Sequence, residues 1–84
     1  MDELPKWFQG TIYDKGDIVK NPTTGEKVTL TANELSMYDF IMGVQLMREA
    51  IGFQRIGDSI NGMFTDGLDW FKETNPIAFM VLLD

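Results

Sequence analysis

The segment from Thr31 to Gly52 constrains this chain more than any other. Thr31-Ala32-Asn33-Glu34 is a capping box: the Thr31 hydroxyl can accept the main-chain N–H of Glu34 while the Glu34 carboxylate reaches back to the N–H of Thr31. The residues that follow predict a helix from Ala32 to about Ile51, with Gly52 just past its end. At about 100° per residue, Leu35, Tyr38, Met42 and Leu46 form one apolar stripe, and Met37, Phe40, Ile41, Val44, Met47 and Ile51 form a second. Between them lies a narrow strip of Ser36, Asp39, Gly43 and Ala50, small enough to let another backbone come close. A helix apolar on two sides must be covered on two sides.

Covering material is scarce. At 84 residues the chain is a single domain, with an extended arm and β-hairpin in residues 1–30 and a helical part in residues 31–84. A domain this small buries only about 60–65% of its unfolded surface and has little stability to spare. Cysteine and histidine are both absent. Their absence excludes disulfide staples, Cys/His zinc sites, thiol nucleophiles and imidazole acid–base chemistry. Self-association as a homodimer or higher homo-oligomer is the remaining route to a second layer, with Ser36, Asp39, Gly43 and Ala50 as candidate self-association residues. The plainer alternative is that the hairpin covers one side of the helix and the C-terminal segment the other, within one chain.

The flanking segments supply a short list of elements. Leu4-Pro5-Lys6-Trp7-Phe8 reads as an arm or turn that packs its aromatic rings on the body. Thr11–Tyr13, Asp17–Lys20 and Lys27–Leu30 favour strands, and Asn21-Pro22-Thr23-Thr24-Gly25 is a turn between the last two, so a two- or three-stranded antiparallel meander is expected. After Gly52 the reading is ambiguous. Glycines recur at 52, 57, 62 and 67, and Asn61-Gly62 is a hairpin-type pair. Yet Ile56, Ile60, Met63, Phe64, Gly67 and Phe71 keep helical spacing. A second helix from about Phe53 or Arg55 to Glu73, weak or kinked in its first half, is favoured. Asn75-Pro76 restarts the chain with a good N-cap and a proline at the first helical position. The apolar Ile77–Leu83 that follows is either a short buried helix or an added strand, and the Asn-Pro signal favours helix. The expected fold is α+β: an N-terminal hairpin packed on a helical hairpin, closed by an apolar C-terminal helix.

Charge narrows the partners. The net charge is −6, of which residues 1–30 carry −1 and residues 31–84 carry −5. Nucleic acid binds by displacing counterions with Lys and Arg, so it is a poor partner for this surface. A basic protein suits it better, which leaves an acidic decoy competing with nucleic acid as an alternative role. The acidity alone also serves solubility. Met1–Lys6 is polar with no apolar region behind it, so no signal peptide is read, and no apolar stretch approaches the roughly 20 residues of a membrane helix. A cytoplasmic protein without membrane contact is expected.

Chemistry-bearing patterns are few. Asp66, Asp69 and Glu73 share one face of the second helix, which makes a carboxylate metal-dependent hydrolase a distant alternative to a solvated helix face. Asp58-Ser59-Ile60-Asn61-Gly62 fails as a calcium loop because Ile60 stands where an oxygen ligand is needed. No phosphate-binding glycine loop is present. Asp39 could face Arg48 or Arg55 if buried, although an exposed acid at a groove edge is the plainer reading. The methionines suit adaptable packing, most of it in the core. No catalytic residue, cofactor or metal ligand is assigned, and the chain reads as a non-enzymatic protein–protein interaction module.

Several segments together resemble a known family: Leu4–Phe8, Val19–Glu26, Leu35–Gly43, Gly67–Phe71 and Ala78–Asp84. The likeness covers nearly the whole chain outside residues 52–62. The family is a small one without assigned activity, encoded by marine tailed phages including cyanophages. The resemblance implies an accessory protein acting in the infected bacterial cytoplasm or in the virion, with a host or virion protein as a further partner. It brings no cofactor and no catalytic residue.

Overall fold

A computed structural model describes residues 3–83. Met1, Asp2 and Asp84 lie outside the described residues, and with them parts of the Met1–Lys6 and Ala78–Asp84 segments. The architecture is α+β: strands β1 (Asp17–Lys20) and β2 (Lys27–Leu30), then helices α1 (Ala32–Ile51), α2 (Phe53–Ile56), α3 (Asp58–Thr74) and α4 (Pro76–Leu82). No helix among the described residues is long and apolar enough to cross a membrane.

β1 and β2 pair antiparallel, with Val19 opposite Val28 and Lys20 opposite Lys27. Of the two or three strands expected, two form, and Thr11–Tyr13 stays outside the sheet. The turn is built by Asn21, whose Oδ1 accepts from the N–H groups of Thr23 and Thr24 at 2.8 and 3.3 Å. Its Nδ2 donates to the Val81 carbonyl at 2.8 Å, tying the hairpin to the end of α4. The strand period of two splits the ribbon. Val19 and Val28 pack against the core, while Ile18, Lys20, Lys27 and Thr29 are exposed.

α1 begins where the capping box places it. Glu34 N donates to Thr31 Oγ1 at 3.2 Å and Thr31 N to Glu34 Oε1 at 3.0 Å. The Glu34 carboxylate is buried at 6% exposure and also accepts from Asn75 Nδ2 at 3.2 Å. Asn75 in turn caps α4, its Oδ1 accepting from Ala78 N at 3.0 Å. One buried carboxylate thus joins the starts of two helices, and the apolar C-terminal segment is a helix.

The core is formed by Leu30, Met37, Ile41, Val44, Phe64, Phe71 and Ala78. Met37, Ile41 and Val44 come from the second apolar stripe of α1 and meet α3. The small side that lets these helices close is on α3: a Cβ at Gly67 would lie 3.0 Å from Met37 Sδ and 3.6 Å from Ile41 Cγ1. The small strip of α1 plays no part in this crossing. The expected second helix is divided instead of kinked. Gly52 and Gly57 take φ of 89° and 98° with extended ψ, a backbone region essentially restricted to glycine. They leave α2 as a single isolated turn, whereas Asn61-Gly62 continues α3 as helix and makes no hairpin.

Candidate interaction site

The N-terminal arm decides which part of α1 is open. Trp7, Phe8 and Phe40 form an aromatic cluster, with ring centroids 5.7 Å apart for Phe8–Phe40 and 6.0 Å for Trp7–Phe40. Trp70 Nε1 donates to the Glu3 carbonyl at 2.9 Å, which fastens the arm to α3. Further along, Tyr13 N donates to Ser36 Oγ at 2.9 Å, and that hydroxyl donates to the Ala32 carbonyl at 2.8 Å. Ser36 is fully buried as a result. The backbone that approaches the small strip at this end is therefore the chain's own arm. Ser36 is corrected from an open candidate contact to an anchor of that arm.

The other three candidates are exposed: Asp39, Gly43 and Ala50. Asp39 sits at a groove edge, within electrostatic reach of the Tyr13 side chain. The Asp39 charge first, and then desolvation, raise the Tyr13 pKa above 10.0. Neither arginine partners Asp39. A groove of about 360 Å³ opens beside it, lined by Gln9, Gly10 and Thr11 of the arm, by Asp39, Phe40, Gly43, Val44 and Met47 of α1, and by Ile60 and Met63 of α3. A Cβ at Gly43 would meet nothing within 4 Å.

Beyond the groove α1 is bare. Leu46, Met47 and Ile51 are 63%, 41% and 45% exposed, and Phe53 at the start of α2 is 56% exposed. By helical phase Leu46 flanks the small strip on one side and Met47 and Ile51 on the other. The exposed face is therefore continuous from Gly43 to Ile51. Among the methionines Met37 is core, Met42 and Met63 are half-buried, and Met47 and Met80 are exposed, so the core expectation holds for the first alone in full.

Arg48 marks an arrangement that the sequence reading missed. Its guanidinium lies 3.9 Å from the Phe64 ring centroid and 4.7 Å from that of Phe53. Nε and Nη2 donate to Asn61 Oδ1 at 3.2 and 3.0 Å, and Asn61 Nδ2 donates to the Phe53 carbonyl at 3.0 Å. This contact holds the isolated turn α2 against α1 and α3. One signal was present: no acid stands three or four residues from Arg48, so its partner had to come from another element.

A second hollow of about 390 Å³ lies between the hairpin turn and α1, with Tyr38, Met42, Glu49, Leu82 and Leu83 among its walls. Burial raises the Tyr38 pKa. Asp66, Asp69 and Glu73 are exposed on α3, and no three acidic side chains among the described residues come together as a metal site. Comparison with protein-family models, with curated proteins and with solved structures finds no match to this chain.

Proposed function

We propose that this protein is a non-enzymatic interaction module that self-associates through the exposed face at the C-terminal half of α1. The observation that carries the reading is the exposure of Leu46, Met47, Ile51 and Phe53, which continues the open face beyond the Gly43 groove that Met47 lines. Contiguous apolar surface on a small domain marks a contact surface, and methionine at its edge adapts to the shape it meets. The resemblance to a marine phage family supports an accessory role in an infected cell or virion, with a host or virion protein as a possible second partner.

Sedimentation velocity from low to high micromolar concentration tests the reading. The sedimentation coefficient is expected to rise with concentration. A strict monomer throughout the range overturns the proposal.

A further inference from the structure

The face described above still lacks a defined counterpart, and the outer face of the hairpin offers complementary chemistry. On the outer face of the hairpin, Lys20 stands directly across from Lys27. Like charges in that position oppose strand pairing. Among the described residues neither lysine has a carboxylate or hydrogen-bond partner for its side chain. Ile18, on the same face, is 61% exposed. The hairpin thus presents an isoleucine beside two lysines without a carboxylate partner among the described residues, within a chain whose residues 31–84 carry a net charge of −5.

The groove beside α1 has the complementary chemistry. Its floor is apolar, from Phe40, Val44, Ile60 and Met63, and its edge bears the exposed carboxylate of Asp39. Its volume of about 360 Å³ is small for a ligand pocket, which suits entry of one or two side chains.

We propose that the occupant of this groove is the hairpin of a second copy of the chain, with Ile18 entering the apolar floor and Lys20 and Lys27 meeting the acidic edge. The proposal rests on the self-association reading and specifies its geometry. Two different faces meet, so the contact is heterologous: a pair keeps an unused hairpin on one copy and an unused groove on the other. Assembly continues past the dimer as concentration rises, either as an open chain or to closure as a ring.

Complementation between two variants tests the geometry. Lys20→Glu with Lys27→Glu spoils the hairpin's charge while keeping a like-charged cross-strand pair. Gly43→Leu fills the groove from a position where an added Cβ meets nothing within 4 Å, and leucine favours helix. Each variant alone is expected to sediment as a monomer, with self-association weakened at least about tenfold, or roughly 1.4 kcal/mol. Mixed in equal amounts they are expected to form a 1:1 heterodimer that grows no further, because one intact hairpin meets one intact groove. Should the charge-reversed hairpin fail to fold by circular dichroism, Ile18→Gln takes its place with the same expectation. Self-association undiminished in the hairpin variant, or no heterodimer in the mixture, overturns the heterologous contact and leaves the α1 reading standing. A monomeric parent chain overturns both.

Discussion

The two halves of α1 have similar apolar content and opposite surroundings. In the first half, Met37 and Ile41 are fully buried, the Glu34 carboxylate is bound by α4's cap residue, and Ser36 lies under the arm. In the second half, Val44 is the one buried apolar residue, while Leu46, Met47 and Ile51 stay in water. The difference comes from the chain's reach. The arm, hairpin, α3 and α4 converge on the first half, whereas the second is held by α2 and the start of α3, with the arm and the hairpin turn reaching only the hollows at its edges. A helix of even apolar content is thus divided into a part that holds the fold together and a part left in water, the part the proposed self-association uses.

Substitutions that break this contrast differ widely in size. Phe71→Ala attacks the covered half, because Phe71 is fully buried beside Tyr38, with ring centroids 6.4 Å apart. A loss of about 3–5 kcal/mol is expected from such a truncation, enough to unfold much of a small domain, read by chemical denaturation. Asn61→Ala acts at the boundary between the halves. It leaves the Phe53 carbonyl and part of the Arg48 guanidinium without their partner, at a cost of about 1–3 kcal/mol, and faster amide exchange in residues 53–56 identifies the turn it releases.

Leu46→Lys sharpens the contrast from the open side. Lysine is a good helix former and the position is exposed, so monomer stability should move by less than about 0.5 kcal/mol while concentration-dependent sedimentation is lost. The smallest effect is a pH dependence. The Tyr13 pKa is raised in the folded chain, first by the Asp39 charge, so the neutral phenol's contribution is present in full below about pH 10. That contribution fades as pH climbs through the higher folded value. The parent should lose a small stability advantage over Tyr13→Phe between neutral and strongly alkaline pH, measured by tryptophan fluorescence in denaturant.

Local chemistry was legible in the sequence and tertiary choices were not. The Thr31–Glu34 box set the start of α1, Gly52 its end, and Asn75-Pro76 the start of α4, because each is a contact between near neighbours. The break at Gly57 could not be read, since glycine there is compatible with a weak helix as well as with φ of 98°. The same limit applied to the helix crossing. The strip on α1 was read as the place for a close approach, and Gly67 on α3 took the role instead. Of the candidate strip, the exposure of Asp39, Gly43 and Ala50 depended on how far the arm extends, which no spacing records. The Arg48–Asn61 contact joins residues 13 positions apart across a turn whose path was unknown.

Amide hydrogen exchange along α1 at two protein concentrations tests the central division most directly. Residues 34–41 are expected to be protected equally at low and high micromolar concentration, because the chain itself covers them. Residues 43–51 are expected to exchange faster when dilute and to gain protection when concentrated. Protection that is even along the helix and independent of concentration would contradict both the division and the self-association built on it.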